Sequence, residues 1–157
     1  MAEDYPASLK ASGIVPRSGS IYPAIFKAVL AGREKRALGD PFGLDQFGIN
    51  LVTLAPGAWS SQRHWHEKED EFIYVLDGEI TLANDSGEHR LTAGTCAGFK
   101  AGVANGHHLV NKSARPATYL EVGTRSPEER ATYPDVDMQA VKTGGIFVVM
   151  KKDGSAY

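Results

Sequence analysis

The sequence predicts an all-β domain, built either as a sandwich or as a barrel. Short runs rich in β-branched and aromatic residues recur through the middle of the chain, and Gly, Asp or Asn separates one run from the next. The chain does not alternate strand and helix patterns, which would indicate βαβ units and a parallel sheet. A length of 157 residues is enough for one domain with a substantial core.

The N-terminal region is predicted to be an arm with one short helix. Residues 1–20 are rich in Ala, Ser, Gly and Pro, and we expect them to lie across the body of the domain or across a neighbouring subunit. Apolar residues recur near helical spacing between residues 22 and 32, which predicts a helix whose start Pro23 limits. The charged run 33–41 ends in a Gly-Asp-Pro turn.

The predicted strands begin at residue 47. Residues 47–54 alternate between two faces and stop at Pro56 and Gly57, which break the extended chain. Further strands are predicted at 62–66, 71–76, 79–83, 88–91, 97–99, 107–111, 117–122 and 145–151.

The C-terminal part is expected to be an extension of the strand-rich core. Its Ser-Pro-Glu-Glu run at 126–129 is typical of a helix start, and residues 133–137 are typical of an extended segment or turn. We therefore expect a single domain with a barrel core at about 45–123, an arm at 1–44 and an extension at 124–157.

Composition excludes several classes of function. A formal net charge of -2 without a dense basic cluster argues against nucleic acid as the main partner. The sequence has no apolar run long enough to cross a bilayer and no signal-peptide pattern after Met1. The single cysteine, Cys96, excludes an intrachain disulfide and is expected to be a small buried side chain. These features predict a cytoplasmic protein.

His64 and His66 are the centre of a candidate metal site. If they lie on one strand, their side chains point to the same face and Trp65 points to the other, because side chains alternate along a strand. The two residues are then about 6–7 Å apart, so both imidazoles can converge on one ion at bond lengths of about 2.0–2.1 Å. The ordinary alternative is that both are solvent-facing strand residues.

Glu71 adds a carboxylate from the next predicted strand. Its odd offset from His66 would place it on the wrong face of one continuous strand, but the charged run 67–70 is typical of a tight turn that resets the phase. On the new strand Glu71 shares a face with apolar residues, so the carboxylate is expected at the mouth of an apolar interior. Asp77 and Gly78 then predict a hairpin turn.

Together these residues resemble the two motifs of the cupin family. The first motif is a glycine, a His-x-His pair, a glutamate and a second glycine, and the second is a glycine, a Pro-x-Gly turn, a histidine and an asparagine, all at fixed spacing. The residues of this sequence that match are His64, His66, Glu71, Gly78, Gly94, Gly102, His107 and Asn111.

The sequence departs from the family pattern at three places. Gly57 lies one residue further from His64 than the first motif requires, and Lys100 occupies the usual proline position. Two extra residues separate Gly102 from His107, which implies a longer loop before the second motif's histidine.

The resemblance implies a double-stranded β-helix, or jelly-roll barrel, with one divalent metal ion per chain. The two histidines and the glutamate of the first motif would bind this ion, and either His107 or His108 would be the fourth ligand. Only one of two adjacent strand residues can face inward, and the spacing to Asn111 favours His107. Asn111 is expected to orient an imidazole.

Two cations flank the motifs, and no residue is assigned a catalytic role. Arg63 and Lys100 are candidates for binding an anionic substrate, and the alternative is that they are solvated charges at the rim. Three imidazoles and one carboxylate suit Zn, Fe, Mn or Ni and leave coordination positions open for water, a small-molecule ligand or dioxygen.

The resemblance implies a metalloenzyme that acts on a small oxygenated or anionic molecule as an isomerase, lyase or dioxygenase. One alternative is a non-catalytic, metal-dependent binder or sensor of a small ligand, and another is a structural cupin whose metal serves stability alone. A direct DNA-binding regulator is disfavoured, because no helix-turn-helix segment accompanies the motifs. We also expect a homodimer formed through the outer strands and the terminal arm.

Overall fold

Antiparallel strands make up most of the computed structural model, which describes residues 5–157. In those residues one α-helix, α1 (Ala24–Lys27), continues into a 3-10 turn at Ala28–Leu30, and other 3-10 turns lie at Ala11–Gly13 and Asp40–Phe42. The strands are β1 (Arg33–Ala37), β2 (Phe47–Leu54), β3 (Trp65–His66), β4 (Glu71–Asp77), β5 (Glu79–Asn84), β6 (Gly87–Thr92), β7 (Cys96–Phe99), β8 (His108–Val110), β9 (Ala117–Thr124), β10 (Glu129–Tyr133), β11 (Met138–Thr143) and β12 (Ile146–Met150). The all-β prediction is confirmed.

The strands form three antiparallel sheets. The five-stranded sheet has the order β1-β2-β9-β4-β7, the three-stranded sheet β6-β5-β8, and the four-stranded sheet β12-β11-β10-β3. Strand β9 lies between β2 and β4, and its register with β2 runs from Phe47 opposite Thr124 to Leu54 opposite Ala117. Neighbouring strands are thus often distant in sequence, so the fold depends on long-range pairing.

The main core joins residues of the five-stranded and three-stranded sheets. Alternate residues point inward on each strand, so that Ile73 and Val75 of β4 are buried while Phe72 and Tyr74 are exposed. This alternation is the one that the sequence predicts for β4. The buried members of this core are Val52, Leu54, Ala58, Ile73, Val75, Ile80, Leu82, Leu91, Leu109, Ala117 and Tyr119.

A second core joins the N-terminal region to the four-stranded sheet. Tyr22 and Leu30, on either side of α1, pack against apolar residues of β10 and β11. The Tyr22 and Tyr133 rings meet edge to face, with centroids 5.5 Å apart. The C-terminal extension therefore forms part of the body of the fold.

Part of the predicted arm lies on the body of its own chain. Arg17 forms an isolated antiparallel bridge with Lys35 of β1, with backbone hydrogen bonds of 2.8 and 3.0 Å. Residues 1–4 of the arm lie outside the described residues. Across the described chain, no helix is long and apolar enough to span a membrane.

The expected helix start at 126–129 is wrong. Glu129 instead opens β10, where it lies opposite Lys142 of β11. The edge strand β3 pairs along the other side of β10. Two neighbouring strands give this segment its backbone hydrogen bonds, and this long-range pairing outweighs the local helix signal.

The expected hairpin at Gly78 and the expected burial of Cys96 are also wrong. Strands β4 and β5 belong to different sheets, so the chain passes from one sheet to the other at Gly78. Gly78 has φ +79°, and a Cβ there would lie 2.9 Å from the Cα and Cβ of Ala117. A side chain cannot fit there, so the corner requires glycine. Cys96 is exposed because it lies on the outward phase of β7.

Candidate metal centre

His64 and His107 are held side by side by backbone pairing. They form an isolated antiparallel bridge. The His64 N–H donates to the His107 carbonyl at 3.1 Å, and the His107 N–H donates to the His64 carbonyl at 2.8 Å. Directly opposed residues in an antiparallel pair carry their side chains on the same face. The two imidazoles are therefore neighbours, with ring centroids 5.4 Å apart.

His66 joins this pair from the short strand β3. Trp65 and His66 lie opposite Thr132 and Ala131 of β10. Because side chains alternate along the chain, the His66 ring faces the same way as the His64 ring, as the sequence predicts. Their Nε2 atoms lie 3.1 Å apart. Two ring nitrogens at this distance need a shared proton or a shared cation between them.

Glu71 completes the cluster as the first residue of β4. The run 67–70 that precedes it is not a strand, so the predicted change of phase is present. Glu71 lies on the inward phase of β4 with the buried Ile73. Its Oε2 atom accepts a hydrogen bond from His107 Nε2 at 2.9 Å and lies 3.6 Å from His66 Nε2.

Hydrogen bonding and aromatic stacking fix the imidazole orientations. His64 Nδ1 lies 2.9 Å from the Gln62 carbonyl oxygen, which can only accept a hydrogen bond. This contact assigns the proton of the neutral ring to Nδ1, so that the lone pair on Nε2 faces the cluster. The His64 ring stacks on Tyr133 with centroids 5.3 Å apart, and the His107 ring stacks on Phe99 at 3.5 Å.

The surroundings keep His64 and Glu71 in the protonation states that bind metals. Burial lowers the pKa of His64 to about 4, and the negative charge of Glu71 only partly opposes this shift. Burial raises the pKa of Glu71, but the His107 hydrogen bond and the charges of the imidazoles outweigh it, so this pKa lies well below its usual range. A neutral imidazole and an ionised carboxylate are the forms that coordinate metal ions.

The donor set fits a divalent metal ion. Donor atoms of His64, His66 and Glu71 all lie within 4.8 Å of one another. His107 contacts the same carboxylate. Imidazole nitrogens combined with one carboxylate suit Zn, Fe, Ni and Mn. These four side chains are the ones that would hold the ion that the cupin resemblance implies.

Two further carboxylates lie behind His66. Glu129 accepts hydrogen bonds from the backbone N–H groups of residues 67 and 68 at 2.7 and 2.8 Å, and Glu69 is ion-paired with the buried Lys142. His66 Nδ1 is buried without a hydrogen-bond partner in the described chain and lies 3.7 Å from a Glu129 oxygen. Donor atoms of His66, Glu69 and Glu129 also lie within 4.8 Å of one another. Both carboxylates already have partners in the described chain, so we assign the metal to the cluster around Glu71.

His108 lies outside the cluster. Its Nδ1 donates a hydrogen bond to the Ser61 carbonyl at 3.1 Å. Its ring meets Trp59 edge to face, with centroids 4.5 Å apart. Burial also lowers the pKa of His108, so this ring is a neutral packing group. Of the two adjacent histidines, the structure places His107 beside Glu71.

The flanking cations Arg63 and Lys100 both form ion pairs with aspartates. Arg63 donates two hydrogen bonds of 2.7 Å to Asp135 and forms an ion pair with Asp85. Lys100 is exposed and pairs with Asp70 at 3.0 Å. Both charges are compensated by aspartates at the surface, which favours the interpretation of solvated rim charges over substrate binding.

Asn111 does not orient an imidazole, and this expectation is also corrected. Its side chain is completely buried and donates to the carbonyls of Leu54 and Arg115 at 2.8 and 2.7 Å. Its Oδ1 accepts the Ser113 N–H at 2.9 Å. The asparagine therefore holds the loop between β8 and β9 against the end of β2.

The cluster faces a cavity of about 510 Å³ whose other walls lie outside the sequence motifs. These walls include Arg33 and Lys35 of β1, Tyr22 of the N-terminal region, and Tyr133 and Phe147 of the four-stranded sheet. Arg33 and Lys35 are alternate residues of the charged run at 33–37, and alternate residues of a strand share a face. This alternation was the sequence signal that could have placed both cations on one wall of a site.

Comparisons with known proteins place these features in a family. A cupin domain model matches residues 50–123. The chain is 47% identical to a sugar phosphate isomerase of the cupin superfamily from Silicibacter pomeroyi, with 96% of each chain covered and a TM-score of 0.92. A putative sugar phosphate isomerase from Acidithiobacillus ferrooxidans is 27% identical, with 80% of each chain covered and a TM-score of 0.72.

More distant similarity extends to the fold alone. A predicted oxalate decarboxylase from Thermotoga maritima is 21% identical, with 76% of this chain and 99% of that chain covered and a TM-score of 0.62. Among curated proteins, none matches the chain. The antiparallel sheets, the matched domain and the similarity over almost the whole chain agree with one another. The chain therefore belongs to the cupin superfamily and has its jelly-roll fold.

Proposed function

We propose that this cupin is a metal-dependent enzyme that acts on a small, oxygenated, anionic molecule by isomerase-type chemistry. The observation that carries the proposal is the convergence of His64, His66, Glu71 and His107 at the wall of one cavity. The cavity volume of about 510 Å³ is in the range that encloses small-molecule ligands. The similarity to a sugar phosphate isomerase supports the choice of reaction class.

The chain's own side chains prepare this site for an oxygenated ligand. A bound divalent cation would act as a Lewis acid on a carbonyl or enediolate oxygen. Glu71 contributes a single negative charge against it, so the centre keeps a net positive charge toward the cavity. Burial raises the pKa of the Tyr22 and Tyr133 phenols, which therefore stay protonated. The hydrogen bond between the two uses one hydroxyl proton and leaves the other to donate to a bound oxygen atom.

Metal analysis combined with an anaerobic turnover assay tests the proposal. Protein purified without added metal is expected to contain about one divalent ion per chain, and aldose or ketose phosphates are expected to be interconverted without oxygen. Iron-dependent oxygen uptake would instead support a dioxygenase. Saturable stabilisation by a ligand without turnover would support a non-catalytic binder. Protein without bound metal and without activity after metal addition would contradict the proposal.

Alanine substitutions at the two adjacent histidines are expected to have different effects. His107→Ala removes a donor that contacts Glu71, so metal affinity should fall by more than about 100-fold, which exceeds the loss typical of groups that only support a ligand. His108→Ala removes a ring that packs on Trp59 and should leave the metal stoichiometry intact. Competition with a chelator measures both affinities. A greater loss in His108→Ala would reassign the fourth ligand.

A further inference from the structure

We infer that Arg33 binds an oxyanion group of the ligand and thereby limits the cavity to phosphorylated or carboxylated molecules. The inference rests on the proposed function only in placing the ligand in the same cavity as the metal cluster. Arg33 opens β1, outside both histidine motifs and outside the matched cupin domain.

The charges that line the cavity distinguish Arg33 from its neighbours. Arg17 pairs with Asp40, and Lys35 pairs with Glu121. Arg33 also lines the cavity but has no carboxylate partner among residues 5–157. A partly buried cation without a counter-charge is costly to maintain, and an anionic ligand would supply the missing charge.

Backbone carbonyls hold the Arg33 guanidinium in place without neutralising it. Nη1 donates to the Ser60 carbonyl at 2.6 Å, and Nη2 donates to the Gly19 carbonyl at 3.0 Å. Nε is buried and has no hydrogen-bond partner in the described chain. A guanidinium that is fixed in this way loses little further conformational freedom when it binds a ligand. Its planar array of N–H groups matches the oxygens of phosphate or carboxylate.

A second polar group lies in the wall of the same cavity. Tyr119 is fully buried, and its hydroxyl also lacks a hydrogen-bond partner within residues 5–157. Buried hydroxyl groups are almost always paired, so this exception is typical of a position that a ligand or bound water completes. Arg33, Tyr119 and Glu71 all line the same cavity, so the guanidinium and the histidine cluster face one enclosed space.

These observations define the chemistry of the ligand. One part of the molecule carries an oxyanion for Arg33, and another carries the carbonyl or hydroxyl oxygens that face the histidine cluster. A cavity of about 510 Å³ is large enough for both parts of a small molecule.

Glycerol 3-phosphate and glycerol form a matched pair of probes, because they differ in the phosphate and neither has a carbonyl to react. We expect the full-length protein to bind glycerol 3-phosphate in calorimetry and to bind glycerol weakly or not at all. Arg33→Gln should weaken phosphate-ester binding by about 10–100-fold, the range for losing charge-assisted hydrogen bonds. Arg17→Gln removes a charge from the same cavity at an exposed, paired position and should reduce the affinity for glycerol 3-phosphate by about threefold or less.

Equal affinity of the wild type and a folded Arg33→Gln variant would overturn the inference. If Arg33→Gln does not fold, Arg33→Lys keeps the positive charge but lacks the planar pair of N–H donors. Its affinity for glycerol 3-phosphate should fall by a smaller but measurable factor. Unchanged affinity in Arg33→Lys would also overturn the inference. Each titration is repeated with a chelator present. Arg33-dependent binding that persists without metal supports the subsite even if the proposed metal chemistry fails.

Discussion

Replacing His64 and His66 together by alanine is expected to leave the protein without stoichiometric metal. The two Nε2 atoms lie 3.1 Å apart and face the same carboxylate, so the double variant removes both nitrogens from one side of the centre. The remaining histidine and carboxylate are too few donors for a tight site, since metal sites in proteins generally use at least three side chains. Metal analysis by mass spectrometry after dialysis measures the loss.

His89→Ala is the matched control for that experiment. His89 is an exposed histidine of β6 whose Nε2 lies 2.9 Å from the Ser86 hydroxyl, and it does not line the described cavity. The His89→Ala variant should have the same metal content and the same circular dichroism spectrum as the wild type. Full metal occupancy in the folded double variant would refute the assignment of His64 and His66 as ligands.

Glu69→Ala is expected to destabilise the fold by about 3–5 kcal/mol, the usual result of removing one partner from a buried ion pair. Lys142 Nζ lies against Glu69 and also donates to the Ser126 carbonyl at 3.1 Å. Both charged side chains are about nine-tenths shielded from solvent, at 9% exposure for Lys142 and 10% for Glu69. Without the carboxylate, the lysine charge stays in a site that water scarcely reaches.

Glu88→Ala provides the comparison at the surface. Glu88 pairs with Lys112 at 2.6 Å, but both side chains are at least half exposed. Glu88→Ala should lower the free energy of unfolding by about 0–1 kcal/mol because water screens exposed ion pairs. Urea denaturation of the metal-free proteins measures both free energies of unfolding. Similar losses in the two variants would show that the buried pair contributes no more than an exposed one.

The sequence pattern predicted the central strands well because their own residues carry the necessary signal. Residues 47–54 coincide with β2, and the strands predicted from 71 to 122 lie within two residues of β4 to β9. The phase of Glu71 followed from the charged turn before it. The convergence of His64 and His66 followed from alternation along a strand.

The remaining features depend on partners that are remote in the chain. The charged segment at 33–37 becomes β1 because β2 pairs with it, and residues 129–133 become a strand because β11 and β3 flank them. Arg33 and Tyr133 likewise reach the cavity through these pairings, which single-sequence patterns do not reveal. The homodimer, the cytoplasmic location and the identity of the metal stay predictions.

The position of β3 has a consequence for how members of this superfamily differ. This strand, which carries His66, pairs only with β10 among the described strands, and β10 lies beyond the matched domain. The aromatic support under His64 comes from the same strand, through Tyr133. Two proteins with identical histidine motifs but unrelated C-terminal extensions would thus surround the same donors with different cavity walls. Ligand preference can then change through the C-terminal extension while the metal-binding motif stays constant.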